Sequence, residues 1–318
     1  MAAISRSDWR SPSVRRVAKL HLSHRIRFAL GGILFAMGVA ATNAQAASGA
    51  RVAVVLSSDL APYRQAFDSF RTHFTEPISV LHLTPNSMEV PKDVQIVVAF
   101  GSKAALAHYP AGTILICAMA PGIRIDSARP PAAVTQIAMV PSASALLVNL
   151  KVLQPSLRRL AILGLSQPIE RYIDDLKSAS ASLGITIVSL PQKHLTDLPS
   201  TLRSLPGRVD ALWIPPDPFF ITNETLFTLK NFSEQNKLPL YLPTAGLVGK
   251  GAAAVVSCSY AEIGRTTAWV AKQALEGESL PAIIYPEKTS FVVNRSVAER
   301  SGLEIPENVL RGAEQVLP

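Results

Sequence analysis

From residue 51 onward the chain alternates short runs of β-branched and aliphatic residues with longer runs of helical period, and this alternation constrains the fold more than any other feature. The runs at 51–56, 78–83, 94–100, 113–119, 134–139, 159–163, 185–190, 209–214, 238–242 and 252–257 are too short for buried helices. They read as covered strands of parallel sheets, with further strands near 283 and 291–294. Between them, 61–74, 142–153, 169–183, 198–205, 222–235 and 260–275 read as helices; Phe67, Phe70 and Phe74 stand at helical spacing. Another helix opens directly off the strand at Gly101 and runs toward Leu106, and Gly184 and Gly277 stand where glycine caps close helices. Alternation of this kind makes doubly wound α/β layers, and two such series on either side of proline-rich 128–131 predict two lobes. The stretch from 83 to 94 is too short and too broken by Pro85 and Pro91 for an ordinary crossover helix, so the first lobe is expected to be shortened.

The first 46 residues are of a different kind. A basic segment through Arg27 is followed by an apolar run of 14 residues, 28–41, and then by Ala44-Gln45-Ala46. That order is a secretory signal peptide cut after Ala46, and the run is shorter than the roughly 20 residues a spanning helix needs. The segment holds seven Lys/Arg and one acid; setting it aside leaves 24 basic and 22 acidic residues, a net charge of +2 instead of +8. The high isoelectric point therefore belongs to the leader, and no clustered basic footprint for nucleic acid remains. A periplasmic address follows, with no membrane insertion of the mature chain. Cys117 and Cys258 would there be permitted a disulfide, but a domain of this size does not need one, and two buried free thiols are the favoured reading.

Chemistry-bearing constellations are sparse. His73, His82, His108 and His194 stand in no metal-ligand spacing with one another or with a cysteine, so neither a metal nor a cofactor is expected. The segment from Gly164 to Pro168 lacks the second glycine of a nucleophile elbow. Gly249-Lys250-Gly251 lacks the spacing and hydroxyl residue of a phosphate-binding loop. An enzyme is not expected; Ser166 is the one nucleophile placed at a strand end.

The informative stretch is 209–220, an apolar strand that empties into Pro215, Pro216 and Pro218, which cannot pair in a sheet and make a stiff loop carrying Asp217, Phe219 and Phe220. Thr222 then caps a helix. Ligands of open α/β sheets sit at such carboxyl ends of strands, which makes Asp217 a site candidate; the competing reading is an ordinary turn aspartate. Other strand-end loops offer Ser57, Ser58, Tyr63, Ser102, Ser166, Thr244 and Tyr260. Ser102, at a helix start, is suited either to an anion or to simple capping. Trp213, inside its strand, is better suited to packing than to a ligand.

Six stretches carry a family resemblance: FGSKAA at 100–105, LKVLQPSLRRLAI at 150–162, VDALWIPPD at 209–217, KLP at 237–239, YAEIGR at 260–265, and 294 through Ile305-Pro306. In this order and spacing the chain resembles the type I periplasmic substrate-binding proteins of ABC transporters, in the branch that includes tryptophan-binding members. The resemblance implies two lobes around a cleft, 47–138 with 258–286 and 139–257 with 287–318, closing by a hinge on a small-molecule ligand. By position it places Ser57, Ser58, Ser102, Ser166, Asp217, Thr244 and Tyr260 around that ligand. It implies an inner-membrane permease and its ATPase as partners of a monomeric binding protein. A ligand sensor without a transport role is the alternative. Ala120-Pro121 departs from an Asp-Pro usual in the family, Gln136 replaces a glycine, and the 83–94 stretch lacks a usual helix. All three departures fall in or beside the first lobe.

Overall fold

The computed structural model describes residues 51–83, 90–121, 123, 125, 133–164, 170–217 and 220–318. Among these the strands in chain order are β1 (Val52–Leu56), β2 (Ile78–His82), β3 (Ile96–Phe100), β4 (Ile114–Ala118), β5 (Ala133–Ile137), β6 (Arg159–Gly164), β7 (Thr186–Pro191), β8 (Ala211–Trp213), β9 (Leu240–Leu242), β10 (Ala254–Ser257), β11 (Ile283–Ile284), β12 (Ser290–Asn294) and β13 (Gln315–Leu317). The helices are α1 (Ala61–His73), α2 (Ser102–Ala105), α3 (Ala143–Leu153), α4 (Glu170–Ser180), α5 (Leu198–Arg203), α6 (Asn223–Asn236), α7 (Tyr260–Leu275), α8 (Arg295–Arg300) and α9 (Glu307–Arg311).

Two α/β lobes result. One is built on a six-stranded sheet, ordered β11-β5-β4-β3-β1-β2, in which every pairing is parallel. The other has seven strands, ordered β13-β12-β10-β9-β8-β6-β7, parallel except where β12 runs against β10. The chain passes between the sheets three times, after β5, between β10 and α7, and between β11 and β12.

The strands are apolar on both faces because both faces are covered. Val52, Val54, Ile96, Val98 and Phe100 face α1 and α7; Phe70 of α1 and Phe74 just after it stack on each other with ring centroids 5.0 Å apart. On the other face Val55, Val97, Ala99, Leu115 and Cys117 meet Ala104 and Ala105 of α2 and the ring of Tyr109, whose hydroxyl donates to the Ala104 carbonyl at 2.6 Å. In the second lobe one face packs on α3, α4, α8 and α9, and the other on α5 and α6. Helix starts follow the capping residues: the hydroxyls of Ser142, Thr222 and Ser259 accept from the N–H groups of Ala145, Thr225 and Glu262. Gly184 closes the turn after α4 with φ 62°, as its position implies.

The structure departs from the sequence expectation in two respects. The helix after β3 is only four residues long and stops before Leu106. The 3-10 turn Ala245–Lys250 and the tail elements α8, α9 and β13 are additions, each too short to show a hydrophobic period. The expected loss of a helix between 83 and 94 falls partly on residues outside those described. Cys117 and Cys258 are free and buried. Burial pushes each thiol up to about 12, and for Cys258 the nearby Glu262 adds to the shift.

Candidate functional site

At the carboxyl ends of β1 and β3 the first lobe forms one polar and aromatic cluster. Gly101 adopts φ 98°, a left-handed conformation that favours glycine. A Cβ there would lie 2.6 Å from both the Ser57 hydroxyl oxygen and a ring carbon of Tyr63. Glycine is thus required twice over, and its absence of side chain lets Ser57 and Tyr63 close over the β3–α2 turn. The Ser57 Oγ accepts from the Ala104 N–H at 2.8 Å, which ties the end of β1 to α2. The Ser58 Oγ accepts from the Leu60 N–H at 3.2 Å and shapes the turn into α1. Ser102 is the first residue of α2 and does not cap it; Gly101 holds the cap position, which sets aside simple capping as the role of that serine.

Tyr260 opens α7 directly after its cap Ser259. Its phenol is pushed above the ordinary tyrosine range, first by burial and then by Tyr63 close by. Ser57, Tyr63, Gly101 and Tyr260 therefore belong to one neighbourhood drawn from β1, α1, the β3–α2 turn and α7.

The second lobe presents its candidates at the ends of β6, β8 and β9. Asp217 is 1% exposed. Its carbonyl accepts from the N–H groups of Phe220 and Ile221, closing the proline-stiffened loop after β8. Its Oδ2 lies 3.8 Å from where a Cβ on Gly164 would be, and Pro215 lies closer still, at 3.1 Å. The loop of β8 is thereby folded against the end of β6, which must be glycine or another small residue. Thr244 stands at the start of the 3-10 turn after β9, half-buried, and its side chain does not cap that turn. Ser166 and Phe219 lie outside the described residues.

Two aromatics of the same stretch belong to the core. Trp213 is 1% exposed and packs on Tyr172 of α4 with ring centroids 5.8 Å apart. Phe220 is fully buried with Leu212, Leu226 and Leu229, because the Asp217 turn folds it back under β8. What the sequence reading missed is Gly101 as the residue that permits the cluster; a glycine at the first position after a buried strand was the signal available. Among the described residues no group of three His, Cys, Asp or Glu is placed to hold a metal ion.

Two layered lobes, with polar and aromatic side chains gathered where parallel strands end, define a bilobal α/β binding protein. Residues 90–317 match the family described as ABC transporter substrate binding protein, and the chain belongs to that family. Among solved structures it is similar to an ABC domain in complex with L-Trp from Streptococcus pneumonia, 20% identical, covering 84% of this chain and 100% of that one with a TM-score of 0.56. It is similar also to the ligand-free, open structure of a substrate binding protein with adhesive properties from Clostridium difficile, 16% identical over 84% and 98% of the two chains, TM-score 0.58. A curated relative, a tyrosine-binding protein of Clostridioides difficile, is 22% identical over 148 residues, 45% of this chain and 42% of that protein's length. No helix among the described residues is long and apolar enough to cross a membrane.

Proposed function

We infer that this chain serves an ABC transporter as its periplasmic solute-binding component, closing its two lobes on a small, partly apolar ligand of amino-acid or aromatic type. The observation that carries the ligand class is the first-lobe cluster, where Tyr63 lies against Ser57 and the Gly101 turn and Tyr260 stands near Tyr63. Two phenol rings beside small polar groups suit an aromatic or apolar side chain better than a bare anion. In this reading Asp217 accepts the ligand's ammonium group in a charge-assisted hydrogen bond, and Ser102 with the first turn of α2 takes its carboxylate. Ser58, Ser166 and Thr244 complete the wall. The L-Trp complex and the tyrosine-binding protein among its relatives support the same ligand class.

The rest of the assignment follows from that role. Residues 1–46 act as a leader cut after Ala46, the lobes comprise 47–138 with 258–286 and 139–257 with 287–318, and the mature protein works as a monomer. Its partners are an inner-membrane permease and an ATPase; nucleic acid is not among them. The chain binds and does not catalyse: Ser166→Ala leaves the turnover of an ester panel at its background, and a fall from measurable turnover would show otherwise. A sensor without a transport role is the second reading, favoured by the thin covering of the first lobe, since a transporter engages both lobes. Co-purification of the closed, ligand-loaded protein with a permease decides for transport; co-purification with a sensor kinase decides for the other.

The test of the ligand is a thermal-shift panel of L-amino acids, small aromatic metabolites and sugars. A true ligand at 100 times its dissociation constant adds about 2.7 kcal/mol of stability. A panel in which sugars shift the melt and no amino acid does would overturn the assignment.

A further inference from the structure

Sharing no residue with the strand-end clusters, a cavity of about 400 Å³ is lined by Arg265, Thr266 and Trp269 of α7, by Ile284 of β11 and by Tyr285 and Glu287 of the crossing that follows it. Its walls offer three kinds of recognition. Trp269 is 52% exposed, an unusual state for the largest apolar side chain, and Tyr285 and Ile284 are half-buried beside it. The Glu287 carboxylate is 87% exposed. Arg265 gives its Nε and one Nη2 hydrogen to Glu262, at 2.8 and 2.7 Å, and its Nη2 lies only 3.7 Å from Glu287. A guanidinium has five N–H donors, so this pairing leaves others for a ligand.

The charges around the cavity balance. Its charged lining is one guanidinium, Arg265, and one carboxylate, Glu287, of opposite sign. It suits a molecule that carries one charge of each sign next to an apolar group. The volume falls in the range of small-molecule sites.

We propose that this cavity is a second ligand site, separate from the strand-end clusters, that takes an apolar or aromatic α-amino acid as its zwitterion. Glu287 accepts from the ammonium group, the unspent N–H groups of Arg265 donate to the carboxylate, and the side chain lies against Trp269, Tyr285 and Ile284. This site does not depend on what the strand-end clusters bind, and its test reads Trp269 directly.

The full chain carrying Trp9→Phe retains two tryptophans, Trp213 at 1% and Trp269 at 52% exposure, so quenching of tryptophan emission by acrylamide reports Trp269. The probe is L-phenylalanine, which does not emit in the tryptophan band, titrated through the millimolar range. Quenching is expected to fall by about half at saturation, since pockets cover most of a bound ligand and of the wall beneath it. Phenylacetate and phenethylamine, each lacking one charge, are expected to give no protection. Glu287→Gln, a change at an exposed side chain, is expected to raise the half-protecting concentration about tenfold, the equivalent of about 1.4 kcal/mol. Unchanged quenching with L-phenylalanine overturns the proposal. So does equal protection by either half-molecule, or by L-phenylalanine on the Glu287→Gln variant at wild-type concentrations.

Discussion

The six-stranded sheet carries α1 and α7 on one face and, among the described residues, only the four-residue α2 on the other, whereas the seven-stranded sheet is helix-covered on both. The candidate residues differ in the same sense. Ser57, Ser58, Ser102 and Tyr260 are half-buried and sit on turns held by single hydrogen bonds. Asp217 is sealed within a loop stiffened by Pro215 and Pro216 and closed by two hydrogen bonds to its carbonyl. A buried, fixed carboxylate is preorganised, and what it binds gains the full strength of a charged partner in a low dielectric. A half-exposed hydroxyl on a short helix contributes less and adapts more. In the function proposed above, the second lobe supplies the anchor and the first lobe an adjustable wall.

That contrast predicts unequal losses of affinity. With a ligand found by the thermal panel, Asp217→Asn is expected to cost roughly 2 to 5 kcal/mol of binding, because it removes one member of a desolvated charged pair. Ser102→Ala is expected to cost about 1 kcal/mol, the net worth of one ordinary hydrogen bond. Calorimetric titration of both variants decides it, and a larger loss at Ser102 would reverse the roles of the lobes.

The second effect concerns packing. In the first lobe α1 and α7 approach so closely that a Cβ on Gly264 would lie 2.0 Å from the Ala66 carbonyl oxygen. Gly264→Val forces the helices apart and is expected to cost about 3 kcal/mol or more by urea denaturation. In the second lobe a Cβ on Gly246 meets nothing within 4 Å, and Gly246→Ala is expected to stay within about 0.5 kcal/mol of the parent. Equal midpoints for the two variants would mean that α1 and α7 separate without cost.

These glycines show where sequence reading ends. The strands were legible because they are apolar on both faces, and α7 was legible over 260–275 because of its helical period and the Gly277 that follows it. Gly264 lies inside that same helix and gives no local sign of its role, which is set by a helix distant in sequence. Asp217 was legible as a residue that leaves a buried strand among prolines. Its depth was not, because burial depends on Gly164 and on the turn that draws Phe220 inward. The cavity beside Trp269 could have been suspected from one large aromatic on the polar side of α7; its partners Tyr285 and Glu287 arrive from a separate crossing of the chain.

Caps offer a smaller contrast. Ser259 and Thr222 accept from the third N–H of α7 and α6 at 3.1 and 3.2 Å. Either substitution by alanine is expected to cost about 1 kcal/mol. Ser259→Ala is expected to be the more costly, since α7 is packed on α1 as well as on its sheet. The order of the two urea midpoints checks this, and a reversed order would place the weaker support under α6.

The smallest effect is on pH dependence, and each lobe again provides one carboxyl group. Glu262 on α7 is only 7% exposed, and burial opposes its ionisation. The hydrogen bonds from Arg265 and from the Lys288 N–H outweigh that, and the carboxyl is held below its ordinary range. Asp210, ahead of β8, is likewise opposed by burial and held down by the Arg159 side chain and the N–H groups of Arg158 and Arg159. A carboxyl whose folded pKa lies below its unfolded value stabilises the fold fully above the unfolded value. That stabilisation drains away as pH falls through the folded one. The parent protein should therefore lose stability on acidification below about pH 5. Glu262→Gln should be less stable at neutral pH and should lose less on acidification, and Asp210→Asn should show the same change to a smaller degree. The order follows exposure: the Asp210 side chain is 23% exposed against 7% for Glu262, and water screens the more open pair. Melting temperatures measured from pH 7 to about pH 3 test both, and parallel curves for parent and Glu262→Gln would show that this carboxylate contributes nothing to the acid limb.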